Sequence, residues 1–365
     1  MRAFDDKDFS YTTVNEMICR LSLFLLFVAA HAGGGEDAGV VDQSDVKAVG
    51  VLTGHKDAIS AVAFSANGKI VATAGGDDCT VKLWDVANQK EMAEFKEKNP
   101  VSTITFSPDG KSIAIATYSL PSVNYVVKIF DVETRKETNT FDFGERTGIS
   151  TIAFSSDGAL MVIGGSRQSK LVVVPAGKME IWNMAKGTRQ ASFAQDDPVS
   201  AAVFSRNGKE LAIGMEDKFS GYKLQPHGRA KIIDIDSGTA KLEVKGHTGW
   251  VGSVAFSPDE NSLIIGSKVV QIWDKPKNQE RQNLKMESLG VGVLSFCANG
   301  TVLETADEET VKLWNFNTGA LLATLNIRRC VGFSPDGTIL AAKDWGHDVK
   351  LWDISKIISA LKEKK

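Results

Sequence analysis

Few side chains in this sequence are spaced for metal binding, acid–base catalysis or nucleophilic chemistry. Beyond residue 32 the histidines are His55, His227, His247 and His347, and no two have the His-x-x-x-His spacing that pairs metal ligands on a helix. The sequence has neither a Gly-x-Ser-x-Gly nucleophile elbow nor a glycine-rich phosphate loop. We therefore predict no catalytic, cofactor or metal site. The alternative, an acid–base or ligand role for His347 in a predicted turn, rests on that one side chain.

The cysteines give no chemistry either. Cys79, Cys297 and Cys330 follow residue 32, and none belongs to a Cys-x-x-Cys pair or has a histidine at metal-ligand spacing. We expect them to be small apolar residues in strands and turns.

The charge of the chain is close to balanced. Its 365 residues include 42 Lys and Arg against 45 Asp and Glu, a net charge of −3. A dedicated nucleic-acid binder carries a basic patch or a strongly basic domain. The composition therefore predicts no nucleic-acid partner.

A repeat accounts for most of the sequence. A phenylalanine followed by a turn occurs seven times, at Phe64, Phe106, Phe154, Phe204, Phe256, Phe296 and Phe333. It alternates with a second signature, at Trp84-Asp85, Phe130-Asp131, Trp182-Asn183, Ile233-Asp234, Trp273-Asp274, Trp314-Asn315 and Trp352-Asp353. Residues 46–353 divide into seven units of 44 residues, a period typical of four-stranded propeller blades.

Each unit is predicted to contain four short strands, because apolar residues alternate between turn signals such as Asn67-Gly68. In the first unit the predicted strands are Ile59–Phe64, Ile70–Gly75, Thr80–Asp85 and Glu91–Phe95. Short strands at even spacing predict an all-β fold, and repetition at this period predicts radial blades.

Two units carry residues that resemble a known family. Gly54-His55, Asp78 and Trp84-Asp85 are similar to the WD-repeat pattern, as are Gly246-His247 and Trp273-Asp274. The resemblance extends over residues 46–353. It implies a seven-bladed β-propeller of four-stranded antiparallel blades with divergent repeats, of the exported bacterial type. We number the blades 1 to 7 in the order of their phenylalanines.

The resemblance also implies a structural network and a way of closing the ring. In the family a His, a Ser or Thr, an Asp and the Trp form buried hydrogen bonds. Blade 1 would supply His55, Asp78 and Trp84, with Ala74 at the hydroxyl position. Residues 46–52 would complete the last blade as its outermost strand. The C-terminal tail, residues 354–365, is expected to be solvated, the alternative being one or two amphipathic helical turns against the ring.

The repeat is irregular in blades 2, 3 and 4. Successive phenylalanines are 42, 48, 50, 52, 40 and 37 residues apart, and the extra residues lie between the second and third strands at Ser119–Tyr125, Ser166–Lys178 and Glu216–Ala230. Equivalent turns of a propeller emerge on one face, so three adjacent insertions predict a raised rim. Aromatic and basic loops on a rigid scaffold favour recognition. The candidate partner-binding residues are Tyr118, Tyr125, Arg167, Lys170, Phe219, Tyr222 and Arg229. The alternative is neutral variation of exposed hairpins.

Residues 1–32 are predicted to be a signal peptide. Leu21–Ala30 is apolar, Arg20 precedes it, and Ala30-His31-Ala32 fits a small-x-small cleavage site. The apolar stretch is too short to span a bilayer. The polar region in front of it is unusually long, and a translation start at Met17 would remove most of it. Residues 33–45 are predicted to be a linker.

These features favour a non-enzymatic scaffold of the WD-repeat class that binds another protein. We expect it to be exported to the periplasm or the extracellular space, to be a monomer, and to have no integral membrane contact after signal cleavage. One alternative is a membrane anchor formed by an uncleaved signal. Another is an exported propeller enzyme, lactonase-like or quinone-dependent dehydrogenase-like, which would need polar or metal-binding side chains along the first strands.

Overall fold

The computed structural model describes residues 46–363 except 120–123, 146, 168–175, 217–226, 287–289, 298–299, 329 and 345. The predicted signal peptide and linker lie outside the described residues. The described chain is built from strands with one short helix near its end.

Seven antiparallel sheets of four strands each form the blades. The first strand of the chain, β1 (Lys47–Leu52), precedes the repeats. Blade 1 contains β2 (Ile59–Phe64), β3 (Ile70–Gly75), β4 (Thr80–Asp85) and β5 (Lys90–Lys96). Blade 2 contains β6 (Val101–Phe106), β7 (Ser112–Ser119), β8 (Asn124–Asp131) and β9 (Glu137–Glu145). Blade 3 contains β10 (Thr147–Phe154), β11 (Leu160–Arg167), β12 (Ala176–Asn183) and β13 (Thr188–Gln195). Blade 4 contains β14 (Val199–Phe204), β15 (Glu210–Glu216), β16 (His227–Asp234) and β17 (Ala240–Thr248).

The last three blades follow the same plan. Blade 5 contains β18 (Ser253–Phe256), β19 (Ser262–Gly266), β20 (Val269–Asp274) and β21 (Gln279–Lys285). Blade 6 contains β22 (Val293–Cys297), β23 (Val302–Ala306), β24 (Val311–Asn315) and β25 (Leu321–Leu325). Blade 7 contains β26 (Cys330–Phe333), β27 (Ile339–Lys343), β28 (Val349–Asp353) and, at its outer edge, β1.

The ring is closed by hydrogen bonds between its two ends. β1 pairs antiparallel with β28, so that Lys47 lies opposite Asp353 and Leu52 opposite Val349. The first strands of neighbouring blades contact each other in sequence, and β26 of blade 7 contacts β2 of blade 1 in the same way. The predicted seven-bladed propeller, completed by its N-terminal strand, is confirmed.

The turn after each phenylalanine has the same local hydrogen bonds in six blades. In blade 2 the Ser107 hydroxyl donates to the Asp109 carboxylate at 2.6 Å and accepts from the Ser112 amide at 2.9 Å. Gly110 follows with a φ of 69°, where a side chain would strain the backbone. The equivalent serines are Ser65, Ser155, Ser205, Ser257 and Ser334, whereas blade 6 has Cys297. The acidic residues of these turns are therefore used to hold the turns.

The core lies in the seams between neighbouring blades. Each of seven clusters of buried side chains is shared by two consecutive blades. In the seam between blades 1 and 2, for example, Val81 and Phe95 pack with Ile104 and Ile113. Burial of apolar area stabilises a fold by about 25 cal/mol per Å². The ring is therefore held by seven seams of this kind, and each blade depends on both of its neighbours.

The C-terminal tail packs against the ring through Ile354, Ile357 and Ile358, so the expectation of a solvated tail is wrong and its alternative, amphipathic helical turns against the ring, is confirmed. Residues 355–363 form the helix α1 (Ser355–Glu363), which buries Ile357 and Ile358 in the seam between blades 6 and 7. Together with Ile354 they follow the i, i+3, i+4 spacing that places side chains on one helix face. The apolar surface that receives them exists only when blade 7 is folded against blade 6, which explains why so short a segment was not assigned to the core.

Candidate functional site

The two faces of the ring carry different kinds of turn. The turns that follow the phenylalanines lie on one face, and the turns between second and third strands lie on the other. In blade 1 the turn after β3 contacts the loop that enters β2, since the Gly76 amide donates to the Ala58 carbonyl at 3.0 Å. We call the face formed by the second-to-third-strand turns and these entry loops the insertion face. The face with the phenylalanine turns is the opposite face.

The hairpins of blades 2, 3 and 4 extend on the insertion face. In blade 2, β7 and β8 are each eight residues long, against six for β3 and β4 in blade 1. The segments that join the second and third strands of these blades, residues 120–123, 168–175 and 217–226, lie outside the described residues. The insertions thus lengthen paired strands as well as the turns between them.

Tyr118 and Tyr125 face each other across β7 and β8. Their rings are stacked, with centroids 5.2 Å apart and planes at 25°. Burial raises the pKa of Tyr125 to about 12, so its phenol stays protonated and can donate a hydrogen bond. Such aromatic pairs contribute about 0.5–1.5 kcal/mol beyond their buried area. The pair gives the blade 2 hairpin a rigid aromatic surface.

Arg229 does not present a free guanidinium on the rim. Its Nη2 pairs with Asp197, and its Nη1 lies 3.5 Å from Oε1 of Glu243. The Asp197 side chain is 1% exposed, so Arg229 neutralises a buried carboxylate. Arg229 therefore has a structural role inside blade 4, and its contact with a partner stays a prediction.

The remaining predicted rim residues lie at the insertions. Arg167 ends β11, and only its backbone is described. Lys170, Phe219 and Tyr222 lie outside the described residues. Their part in binding stays a prediction.

Trp250 is a prominent side chain of the insertion face that was not among the residues predicted from the sequence. It lies in the loop between β17 and β18 and is 47% exposed, whereas Trp84 and Trp314 of the third strands are 3% and 6% exposed. Its indole nitrogen lies beside Gly290, where a Cβ would be 3.6 Å away. A signal was present, because Trp250 follows a Gly-His pair and falls outside the repeated Trp-Asp position.

A chain of hydrogen bonds links four side chains of blade 1. The Trp84 indole donates to the Thr73 hydroxyl at 2.8 Å, and that hydroxyl lies 2.7 Å from Nε2 of His55. Nδ1 of His55 lies 2.9 Å from a carboxylate oxygen of Asp78. All four groups are satisfied when Nδ1 carries the proton and Thr73 donates to Nε2. Burial acts to raise the pKa of Asp78, but hydrogen bonds, with that of the Lys56 amide foremost, hold it below its ordinary value.

The hydroxyl of this chain comes from Thr73 and not from position 74, so the sequence placement was wrong by one residue. Successive side chains of a strand point to opposite faces of the sheet. Ala72 and Ala74 point into the seam between blades 1 and 2, while Val71 and Trp84 lie in the seam between blades 7 and 1. Thr73 lies on the same face of the sheet as Val71 and Trp84, where its hydroxyl contacts His55 and the Trp84 indole.

Blades 5 and 6 keep only parts of this chain. In blade 6 the Trp314 indole donates to Thr305 at 2.9 Å, and the Met286 sulfur lies 3.6 Å from the same hydroxyl in place of a histidine. In blade 5, His247 is 1% exposed, and Gln271 is the side chain that hydrogen-bonds to its ring, in place of the threonine and aspartate of blade 1. Burial lowers the pKa of His247 to about 4, so the ring is neutral at pH 7.

The described residues offer little for chemistry. They contain no group of three or more His, Cys, Asp or Glu side chains that could hold a metal ion. The first strands β2, β6, β10, β14, β18, β22 and β26 contain no Asp, Glu, Lys, Arg or His, and their polar side chains are Ser, Thr and Cys. Within the same residues, none of the helices is long and apolar enough to span a membrane. The insertion face, with its lengthened hairpins and the exposed Trp250, is the candidate site.

Comparisons with known proteins agree with this geometry. The family described as "WD domain, G-beta repeat" matches residues 46–85, 238–274 and 321–353. Apoptotic protease-activating factor 1 of Rattus norvegicus is 23% identical over 363 residues, which cover 85% of this chain and 27% of that protein. The same factor of Danio rerio is 28% identical over 188 residues, 48% of this chain and 15% of that protein.

A shorter relative covers the chain similarly. WD repeat-containing protein WDS homolog of Arabidopsis thaliana is 26% identical over 313 residues, 75% of this chain and 58% of that protein. The chain spans less than a third of the length of the two apoptotic protease-activating factors. The similarity to those two proteins therefore concerns one part of each.

Proposed function

Because the chain is a WD-repeat β-propeller protein, we propose that it is a non-enzymatic scaffold that binds another protein through its insertion face. Propellers of this family generally bind other proteins. The observation that carries the choice of face is Trp250, which is 47% exposed and is the one aromatic side chain among the three exposed large apolar side chains of the described residues. Tryptophan and tyrosine are enriched among the residues that dominate binding energy.

The opposite face lacks such a side chain among the described residues. The large apolar side chains exposed in the described chain are Trp250 on the insertion face and Val51 and Met92 on the outermost strands. The opposite face presents exposed lysines such as Lys111 and Lys209 beside turns whose Asp109 and Asn207 side chains bond to their own turn. The contrast supports binding on the insertion face.

Site-specific photocrosslinking in cells tests this proposal. A photoreactive amino acid at position 250 or 118 should crosslink one protein partner, because both positions lie on the insertion face. The same residue placed at Lys111 or Lys209 is the control for the opposite face. Crosslinks of the partner from positions 111 and 209, with none from 250 or 118, would move the binding surface to the opposite face.

We also propose export by a cleaved signal, which the order of basic, apolar and small residues in positions 20–32 supports. The mature protein should then begin at Gly33, after Ala32. Amino-terminal sequencing of the protein from its native cells measures this directly. A soluble cytoplasmic protein that retains residues 17–32 would contradict export.

A further inference from the structure

Glu304 places a carboxyl group where the other blades have an apolar side chain. It lies on β23, opposite Leu313 of β24, and is fully buried. The residues in the same register of the other second strands are Ala72, Ala114, Val162, Ala212, Ile264 and Ala341, all 0% exposed. Blade 6 therefore has one acidic side chain in an otherwise apolar layer.

Nothing in the described chain neutralises this carboxyl group. The side chains that hydrogen-bond to Glu304, Cys297 and Ser295, are uncharged, and no lysine or arginine pairs with it among the described residues. Glu180 of blade 3 is equally buried but pairs with Lys178 at 3.1 Å and Arg189 at 2.7 Å. A buried carboxylate without a neighbouring cation is costly, whereas the protonated acid is neutral. Glu304 therefore favours the protonated form far more than Glu180 does.

The groups beside Glu304 belong to blades 6 and 7. Burial raises its pKa to about 8, while the Cys297 thiol and the Ser295 hydroxyl oppose this shift and the Asp336 carboxylate adds to it. Asp336 lies in the blade 7 turn, next to Gly337, where a Cβ would come within 2.5 Å of a Glu304 oxygen. A side chain at position 337 would clash with both Cys297 and the Glu304 carboxyl group, so the glycine of the blade 7 turn leaves room for both.

The seam that contains Glu304 holds the closing blade. Its apolar cluster joins Cys297 of blade 6 with Leu340 of blade 7 and with Ile357 and Ile358 of α1. Val46, directly before β1, packs against the same cluster. Opening of this seam would therefore loosen both ends of the ring together.

We propose that Glu304 is a proton-controlled latch on the seam between blades 6 and 7, which its protonation keeps closed and its ionisation opens. In an opened seam the side chain is exposed to water and returns to the ordinary pKa of a glutamate, near 4.3. Glu304 binds its proton more tightly in the closed seam than in the open seam. The closed seam is therefore most stable at a pH below the ordinary pKa of glutamate. Between the pKa of Glu304 in the open form and its pKa in the closed form, the fraction of open seams rises about tenfold per pH unit. Above pH 8 this fraction levels off.

Labelling of Cys297 measures seam opening directly. Cys297 is 4% exposed and is not in a disulfide, so a thiol reagent reaches it only when the seam opens. Labelling followed by peptide mass spectrometry gives its rate at each pH for the wild type and for Glu304→Gln. Dividing the two rates removes the effect of pH on the thiol itself. We expect this ratio to rise about a hundredfold from pH 5.5 to pH 7.5.

Two further variants keep the test decisive. Glu180→Gln, which alters an equally buried but paired acid, should retain the wild-type pH dependence at Cys297. Glu304→Ala introduces the residue of blades 1, 2, 4 and 7 and replaces the glutamine variant if that one does not fold. A ratio that stays constant from pH 5.5 to pH 7.5, or equal effects of the Glu180 and Glu304 variants, would overturn the proposal.

Discussion

Replacing Thr73 with valine keeps the shape of the side chain and removes one hydroxyl from the hydrogen-bonded chain of blade 1. The Trp84 indole then loses its acceptor at 2.8 Å, and Nε2 of His55 loses its partner at 2.7 Å. Both side chains are buried, at 3% and 7% exposure, so water does not replace the lost partner. Each buried polar group left unpaired costs about 1–3 kcal/mol, so Thr73→Val should lower the free energy of unfolding by about 2–6 kcal/mol.

Thr305→Val in blade 6 is the matched control. Thr305 accepts from the Trp314 indole at 2.9 Å, and its hydroxyl lies 3.3 Å from the Lys312 carbonyl and 3.6 Å from a methionine sulfur that stands in place of the histidine, so a single short hydrogen bond is lost. The expected loss is about 1–3 kcal/mol, smaller than that of Thr73→Val. Urea unfolding of the wild type and the two variants at pH 7 gives the three free energies. Equal losses, or a loss at Thr73 below about 0.5 kcal/mol, would refute the reasoning that both partners depend on this hydroxyl.

Three further predictions concern single side chains. Ile358→Ala should cost about 2–5 kcal/mol by urea unfolding, because it leaves a cavity in the seam beneath α1, and an unchanged stability would return the helix to a solvated tail. The pKa of His247, about 4, lies below its ordinary value. The contribution of the neutral ring to the free energy of unfolding is therefore fully present above pH 6.5 and is lost as the pH falls toward 4. Relative to His247→Gln, the free energy of unfolding of the wild type should fall by about 3 kcal/mol between pH 6.5 and pH 4. Equal pH dependence of the two proteins would contradict this prediction. Arg229→Ala should cost about 3–5 kcal/mol, since the buried Asp197 carboxylate would lose the guanidinium that pairs with it, and a change of only a few tenths would contradict the structural role of Arg229.

The fold was predictable from sequence because each blade repeats its own local signals. The predicted strands Ile59–Phe64, Ile70–Gly75 and Thr80–Asp85 agree with β2, β3 and β4 residue for residue. The alternation of apolar and polar residues and the turn residues act within a few positions of each other. They therefore predict the strands without knowledge of tertiary contacts. The closing strand was predictable for a different reason. The last repeat has no outermost strand of its own after Trp352-Asp353, and residues 46–52 form a predicted strand that belongs to no other blade.

Side-chain placement was harder to predict because it depends on register and on neighbouring blades. A shift of one position separates Thr73 from Ala74, and only the pairing of β3 with its neighbours decides which of them reaches His55. Arg229 was assigned to the rim by its position near an insertion, whereas its role depends on Asp197, 32 residues away. The burial of Ile358 likewise depends on a seam that distant parts of the chain build together.

The affinity of the crosslinked partner for two sets of variants tests binding at the insertion face most directly. Trp250→Ala should weaken binding by a factor of about 30 or more, the effect of losing a residue worth about 2 kcal/mol at an interface. Its melting temperature should change little, because the side chain is 47% exposed. The combined change of Lys69, Lys111 and Lys209 to alanine on the opposite face should leave the affinity within a factor of about two, since exposed charges outside an interface contribute little. Full affinity in Trp250→Ala together with a large loss in the lysine variant would contradict binding at the insertion face.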